Sequence, residues 1–352
     1  MPPSAAQVGR WAETPGRVQD LPAPDRPGTA SWPGSHPAPG PRSPAGAGRL
    51  AASGRVVGRG SVAARVRDAL VLCKPRIVAM LVFSGIMAAV VAARGVPDLG
   101  RLLGFVLAGS LAAAGAAALN QYFDRDIDAL MERTAARPLP AGRMKAVLAL
   151  YLGVMLSAAG VAAGFVLLDA RVGGVLLAGV AVYAGVYTLW LKRRTVWNIV
   201  IGGAAGSLMV LAGWRAQRPD LTPEGWLLLA LLFLWTPSHF WPLSLALRDQ
   251  YARAGIPMLP VLASRKAAVV VTVANTLLLV GVTLLPAAWG FYALPHTAVL
   301  TAAGAGFLAL TLAMAGPGRD RLAWWVYKAS GPYLGVVLVT MAAAALRKAG
   351  MP

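Results

Sequence analysis

Long apolar runs separated by short polar loops make up the chain from about residue 70 onwards. Most runs are close to the roughly 20 residues that a helix needs to cross the hydrocarbon layer of a membrane. Glycine and alanine recur inside them, as in AAAGAAA at 112–118, and such small residues let helices pack closely in lipid. The pattern predicts nine membrane-spanning helices, the last of them short, near 71–93, 102–123, 145–168, 172–191, 196–214, 226–247, 267–289, 296–315 and 331–346.

The first part of the chain has no such pattern. Residues 1–65 are dominated by proline, glycine, alanine and arginine, without an apolar period. A segment of this composition cannot bury enough apolar surface to fold, and it contains no continuous apolar core of a secretory signal. We therefore expect a disordered tail over 1–65 and one polytopic domain over 66–350.

Composition and charge agree with a membrane protein. Hydrophobic residues make up 57% of the chain, charged residues only 13%, and the mean hydropathy is +0.61. The net charge of +19 does not indicate a nucleic-acid partner, because the basic residues lie in the tail and in short loops between apolar runs. The loops after the second, fourth, sixth and eighth runs are the richest in lysine and arginine. This asymmetry predicts a multi-pass protein with the N-terminus and those loops in the cytoplasm. We expect it in the cell's inner, cytoplasmic membrane.

A polar stretch follows the second apolar run and reads NQYFDRDIDALMERTAARPLPAGR over 120–143. Within it, Asn120, Asp124 and Asp128 are spaced i, i+4 and i+8, so they lie along one face of a helix. Asp126 lies about 200° round from Asp124 and is expected to point elsewhere. Carboxylates at the end of a membrane helix are costly to bury without a partner, so the stretch is a candidate cation site.

The residues alone leave two explanations of this stretch open. In the first, Asn120, Asp124 and Asp128 hold Mg²⁺, which takes oxygen ligands and completes its shell with water and substrate phosphate. In the second, the helix end is solvated and its acids pair with Arg125 and Arg133. Because the helix is leaving a membrane and more arginines follow, we favour a metal ion that holds a diphosphate.

A second loop, LRDQYARAGIPMLPVLASRKA at 247–267, follows the sixth apolar run and has a similar layout. Each loop has an acid near the helix end, then a Leu-Pro pair, then basic residues at the start of the next helix. The acid is Asp124 in the first loop and Asp249 in the second. This likeness suggests two facing half-sites, with Asp249 as a further metal ligand and catalytic residue.

Basic residues near the same ends of the predicted spans are candidates for binding diphosphate oxygens. An ordinary role as membrane anchors explains those at 74–76 and 192–194 equally well. The candidates are Lys74, Arg76, Arg133, Arg137, Lys192 and Arg193.

Several motifs together resemble a known family. The pattern N-x-x-x-D-x-x-x-D-x-x-M-x-R-T, which begins at Asn120 and continues into R-P-L, resembles the first aspartate-rich motif of the UbiA superfamily of intramembrane prenyltransferases. Four further stretches resemble the protohaem IX farnesyltransferases within it: KPRIV (74–78), YTLWLKRRTVWNIVIGGAAGS (187–207), FLWTPSHFW (233–241) and AGIPMLPV (254–261). The resemblance covers the chain from about 70 to 350.

This resemblance implies a nine-helix bundle with a central cavity that faces the cytoplasm. It implies transfer of the farnesyl group of farnesyl diphosphate to a vinyl group of haem B, giving haem O and diphosphate, with Mg²⁺ as cofactor. Haem A synthase and terminal oxidase assembly are implied partners, besides the lipid bilayer. The chain departs from the family at Gln250, where the second loop usually carries an acid directly before the tyrosine.

His239 lies deep in the sixth apolar run, and an ionisable residue inside a span is a candidate functional residue. It is a candidate contact to the haem iron. The alternative is a buried histidine bonded to a helix carbonyl that Pro237 or Pro242 leaves free.

Two other functions are alternatives to farnesyl transfer to haem B. A prenyltransferase of the same superfamily can act on an aromatic acceptor such as a quinone precursor, although the stretches 187–207 and 254–261 resemble the haem branch. A transporter usually carries its ionisable residues near the bilayer midplane. Here the acids cluster at one predicted membrane face, which argues against a transporter.

Overall fold

The computed structural model describes residues 61–316 and 320–350, without the side chain of residue 320. Every regular element in this part of the chain is helical. Residues 1–60 lie outside it, so the disordered tail stays a prediction for them, whereas residues 62–65, which were assigned to the tail, are helical. A short helix, Val62–Leu72, precedes the first span and is held by Gln121, whose side-chain amide donates to the carbonyls of Val71 and Leu72 at 3.0 and 2.8 Å.

Within the described residues, nine helices are long and apolar enough to cross a membrane, which confirms the predicted number. They are Pro75–Ala93, Leu99–Phe123, Ala146–Leu167, Ala170–Leu191, Asn198–Gln217, Pro223–Ala246, Arg265–Ala288, Leu294–Ala313 and Arg321–Lys348.

The ninth span is the one whose predicted length was wrong. The apolar run predicted 331–346, whereas the helix extends over Arg321–Lys348. Its first turns contain Arg321 and Lys328, whose charges interrupt the apolar run without interrupting the helix. The Lys328 ammonium lies 5.1 Å from the centre of the Trp324 ring, and this cation–π contact stabilises one of the charges near the start of the helix.

Small residues bring neighbouring spans into backbone contact, as the glycine- and alanine-rich sequence predicts. A Cβ atom on Gly160 of the third span would lie 2.2 Å from the backbone nitrogen of Ala112 in the second span. A Cβ on Gly213 of the fifth span would lie 2.1 Å from the carbonyl oxygen of Gly85 in the first. Only glycine allows these approaches, and close backbone packing is a main source of helix association in lipid.

Two spans depart from regular α-helix near the polar loops. The fourth span changes from α-helix over Ala170–Val180 to π-helix over Ala181–Leu191. The fifth begins with the short helix Asn198–Gly202 and continues as Ala204–Gln217. Irregular turns inside helices are often found at functional sites because they change the direction in which side chains point.

The two polar loops pack on a common apolar cluster. The first loop contributes Ile127 and Met131, and the second contributes Tyr251, Ile256 and Met258. All five are buried. This cluster places the helix Arg125–Leu130 and the helix Arg248–Arg253 at the same end of the bundle, as the similar layout of the loops suggests.

Candidate active site

A chain of polar contacts joins three spans at this end of the bundle. Lys74, directly before the first span, donates from Nζ to Asn120 Oδ1 at 2.6 Å. Asn120, in the second span, donates from Nδ2 to Asp124 Oδ2 at 2.8 Å and to Thr188 Oγ1 at 3.0 Å. Lys192, at the end of the fourth span, pairs with Asp124 Oδ2 at 2.5 Å. Asp124 therefore lies at the centre of the cluster.

The π-helical end of the fourth span positions two members of this cluster. Thr188 donates from Oγ1 to the carbonyl of Tyr183, five residues back, at 2.7 Å. The backbone N–H of Lys192 donates to the carbonyl of Tyr187, also five residues back, at 2.9 Å. These wide turns bring Thr188 and Lys192 to the second span.

The three aspartates have the orientations that their spacing predicts. Asp124 and Asp128 are buried, with 1% and 3% of their surface exposed, whereas the Asp126 side chain is 61% exposed. Asp128 pairs with Arg137 at 2.6 Å. Asp126 pairs through both oxygens with Arg193 at 2.7 Å, and the Arg193 guanidinium holds the pKa of Asp126 low, at about 2.

The simple pairing of the acids with Arg125 and Arg133 is not what the structure contains. Arg125 donates to the carbonyl of Tyr122 at 2.7 Å and lies over the Tyr122 ring. Arg133 is exposed and lies near Tyr251 of the second loop. The acids are paired by residues from farther along the chain.

Lys74 is held in an uncommon backbone conformation, with a φ of 50°, immediately before Pro75. A left-handed conformation of this kind costs free energy in a residue other than glycine, and here it follows the end of the helix Val62–Leu72. Burial, together with the nearby charges of Arg137 and Lys192, lowers the pKa of Lys74 to about 7. The conformation directs its ammonium group toward Asn120.

One oxygen at the centre of the cluster lacks a hydrogen bond. Asp124 Oδ1 is buried and has no partner among the described residues, although Oδ2 is bonded twice. A carboxylate oxygen left without a donor suits a divalent cation such as Mg²⁺, which usually takes one or two carboxylates together with substrate phosphate and water. Over residues 61–316 and 320–350 there is no group of three or more His, Cys, Asp or Glu side chains that could hold a metal alone.

The second loop contributes less charge to this end of the bundle. Gln250 and Arg253 reach Glu132 of the first loop, with Gln250 Nε2 at 3.4 Å and an Arg253 nitrogen at 3.3 Å. Gln250 Oε1 is buried without a hydrogen bond. Asp249 is exposed, and none of the contacts found in the described part of the chain ties it to Asp124. Arg76, at the start of the first span, is likewise exposed and apart from the cluster.

Two residues at this end of the bundle were not singled out in the sequence. Thr188 is one, through its bond to Asn120. Asn198 is the other: it is fully buried, and its Nδ2 donates to the carbonyls of Thr195 at 2.6 Å and Pro257 at 3.4 Å. Its Oδ1 has no partner among the described residues. The feature of the sequence that could have singled out Asn198 is its position as a polar residue at the start of an apolar run.

His239 lies away from the aspartates, between aromatic rings of the sixth and ninth spans. Its imidazole stacks on Trp235 with ring centres 4.4 Å apart and lies 4.7 Å from Tyr327. Nδ1 is 2.6 Å from Ser330 Oγ. The predicted alternative, a bond to a free helix carbonyl, is wrong for this nitrogen, because its partner is a side-chain hydroxyl.

A bundle of apolar spans with half-buried lysines and buried carboxylates at one end suits an integral membrane protein that binds an anionic group. Comparison with known proteins makes the class specific. The chain belongs to the UbiA prenyltransferase family, whose sequence model matches residues 81–331. It is therefore a membrane prenyltransferase.

Curated relatives narrow the comparison. The chain is 39% identical over 294 residues to protoheme IX farnesyltransferase 1 of Cenarchaeum symbiosum, which covers 78% of this chain and 95% of that protein. It is 40% identical over 276 residues to protoheme IX farnesyltransferase of Thermus thermophilus, covering 78% of this chain and 45% of that one. The chain thus spans nearly the whole of the first relative and about half the length of the second.

Solved structures share the fold. A digeranylgeranylglyceryl phosphate synthase superposes with a TM-score of 0.68 at 16% identity, covering 81% of this chain and 99% of that one. A UbiA homologue from Archaeoglobus fulgidus bound to DMAPP and Mg²⁺ superposes with a TM-score of 0.56 at 16% identity, covering 78% and 99%.

Proposed function

We propose that this chain transfers the farnesyl group of farnesyl diphosphate to a vinyl group of haem B, giving haem O and diphosphate. The observation that carries the diphosphate half of the proposal is the buried Asp124, with one unpaired oxygen among lysines and arginines. The names of the curated relatives support haem as the acceptor.

The charges around Asp124 favour an anionic substrate. Arg137 and Lys192 bring two positive charges, which Asp124 and Asp128 balance, and Lys74, whose pKa is about 7, brings a third when it is protonated. An excess of positive charge in a buried site is costly until an anion enters it. Diphosphate oxygens accept hydrogen bonds from ammonium and guanidinium groups, and these charge-assisted bonds are the strong ones.

Mg²⁺ is proposed to enter with the diphosphate. Asp124 is its main protein ligand, with Asn120 and Asp128 beside it and Asp249 contributing from the second loop. When bound, Mg²⁺ supplies positive charge that stabilises the leaving diphosphate. The solved Archaeoglobus homologue, which shares the fold, is bound to Mg²⁺ and DMAPP.

The chemistry asks for charge stabilisation and for control of water. Breaking the allylic C–O bond leaves the electron pair on diphosphate and a cation on the farnesyl group. The vinyl π electrons of haem form the new C–C bond, and a water molecule then adds to the resulting cation and loses a proton, which gives the hydroxyl group. We propose that Lys74, Arg137 and Lys192, which surround Asp124 and Asp128, stabilise the diphosphate as it leaves. Arg193 and Arg133 are proposed to bind outer oxygens, and Arg76 to approach at the rim.

The acceptor and the orientation are also part of the proposal. The haem binds in a central cavity of the bundle that faces the cytoplasm, in contact with His239. The loops that carry Asp124 and Asp249 lie with the N-terminus on the cytoplasmic side of the inner membrane, since these loops are rich in lysine and arginine. Haem O passes to haem A synthase, and haem O or the haem A made from it passes to terminal oxidase assembly.

A comparison of two acceptors, each supplied separately, tests this function. Membranes containing the full chain are incubated with Mg²⁺, farnesyl diphosphate and either haem B or a hydroxybenzoate-type quinone precursor, and products are identified by mass. We expect haem O with haem B and no prenylated product with the aromatic acid. Prenylation of the aromatic acid alone would replace the haem assignment with the aromatic one.

A change at Gln250 tests the second half-site. The Gln250→Asp variant adds a carboxylate near that of Glu132. We expect the Mg²⁺ concentration for half-maximal haem O formation to fall about 3-fold or more, because these two carboxylates together attract a divalent cation better than one does. Gln250→Asn, which is neutral and one methylene shorter, is the matched control and should not lower it. An unchanged Mg²⁺ requirement in both variants would remove the second loop from metal binding.

A further inference from the structure

The hydrogen bonds around His239 show which of its two ring nitrogens carries the proton. The Ser330 hydroxyl has a single hydrogen, and it donates that hydrogen to the carbonyl of Tyr327 at 2.6 Å. At the same time Ser330 Oγ lies 2.6 Å from His239 Nδ1. Because the hydrogen of Ser330 is already used, the oxygen can only accept from the ring, so Nδ1 carries the proton and donates it.

The opposite assignment is costly. If Ser330 donated to Nδ1 instead, its oxygen would face the Tyr327 carbonyl oxygen at 2.6 Å with no hydrogen between them. Two lone pairs at that separation repel. The site is also dry, since Ser330 has no exposed surface, so water is not available to relieve the contact.

Two aromatic rings pack against the imidazole of His239. Trp235 stacks on one face of the imidazole, at an interplanar angle of 20°, and Tyr327 covers it at 4.7 Å. The Trp235 indole N–H donates to the Ser330 carbonyl at 2.8 Å, which ties the sixth span to the ninth at the same point. Because Nδ1 is bonded to Ser330, Nε2 is the ring nitrogen of His239 with an open lone pair.

A histidine with this arrangement has the form of a metal ligand. Histidines that bind metals almost always donate their second ring N–H to a neighbouring oxygen, which fixes the tautomer and raises the basicity of the binding nitrogen. We propose that His239 Nε2 binds the iron of the substrate haem, and that Ser330 is the positioning residue that holds His239 in the tautomer able to do so. The proposal rests on the proposed function for its choice of haem as ligand.

Resonance Raman spectroscopy of bound ferrous haem tests the proposal without the prenyl substrate. The purified full chain is loaded with haem B alone, and the iron–imidazole stretching band is recorded for the wild type and four variants. The wild type should show the band and His239→Ala should lack it. Ser330→Ala should shift it to lower frequency and weaken haem binding about 10-fold, because the hydrogen bond from Nδ1 is lost. Ser330→Thr keeps a hydroxyl group and should restore both.

Ser244→Ala is the matched control. Ser244 is also buried and also donates to the carbonyl three residues back, that of Trp241 at 3.0 Å, but it lies apart from His239. Its band should match that of the wild type. A band absent from the wild type, or a Ser330→Ala band identical to that of Ser244→Ala, would overturn the proposal. A normal band in a chain that forms no haem O would contradict the proposed function and leave the ligation standing.

Discussion

Replacing Asp124 with asparagine is expected to lower kcat/KM for haem O formation about 10³-fold. The change removes the charge that pairs with Lys192 at 2.5 Å and replaces one of the carboxylate oxygens with an amide nitrogen that cannot bind a cation. Losing one preorganised electrostatic contact at a reacting centre typically costs 10²- to 10³-fold, and Asp124 provides two such contacts. The measurement is steady-state haem O formation by mass, at saturating Mg²⁺.

Asp126 provides a matched control for this prediction. It lies two residues away, has the same side chain and is also paired with a cation, Arg193, but 61% of its side chain is exposed. Exposed ion pairs contribute little, so Asp126→Asn should stay within about 3-fold of the wild type. Equal losses in the two variants would mean that the loop as a whole, and not the buried carboxylate, is needed for activity.

Replacing Gly160 with valine is expected to separate the second and third spans. A Cβ atom at Gly160 would meet the backbone nitrogen of Ala112 at 2.2 Å and the carbonyl oxygen of Ala108 at 2.7 Å. Backbone atoms cannot move aside as a side chain can, so the helices must part. We expect a loss of at least about 2 kcal/mol in the free energy of unfolding, since overpacking of a tight contact costs that much. In a domain of this size the melting temperature should fall by roughly 3 °C or more.

Gly306 in the eighth span is the control for the effect of valine on a membrane helix. Nothing lies within 4 Å of a Cβ built there, so Gly306→Val adds the same side chain without a clash. Thermal unfolding of both variants in one detergent compares the two positions directly. A melting temperature that falls equally at Gly306 would assign the loss to valine itself and not to helix contact.

The spans and the aspartate face were predictable because each depends on a short local pattern. A run of about 20 apolar residues can satisfy its backbone in lipid only as a helix, so their number follows from the sequence. The 3.6-residue period placed Asn120, Asp124 and Asp128 on one side and Asp126 on the other. The ninth span was underestimated because hydropathy registers the charges of Arg321 and Lys328, whereas helix formation does not require apolar residues.

The partners of the aspartates were harder to predict because they come from distant parts of the chain. Lys192 pairs with Asp124 across 68 residues, and Thr188 reaches Asn120 across the same separation. The directions of the Thr188 and Lys192 side chains depend on the π-helical turns of the fourth span, which no local residue pattern predicted. Asn198 was missed for a similar reason, since its contact with Pro257 depends on how the fifth span packs beside the second loop.

The location of a bound metal tests most directly whether Asp124 holds a metal ion together with the diphosphate. Crystals of the full chain grown with Mn²⁺ in place of Mg²⁺, together with a non-hydrolysable farnesyl diphosphate analogue, are examined by anomalous scattering. We expect a manganese peak at the Asp124 carboxylate, in contact with the diphosphate, with Lys74 and Lys192 on the diphosphate oxygens. A bound diphosphate with manganese elsewhere, or with no manganese and Asp124 still paired only with Lys192, would contradict it.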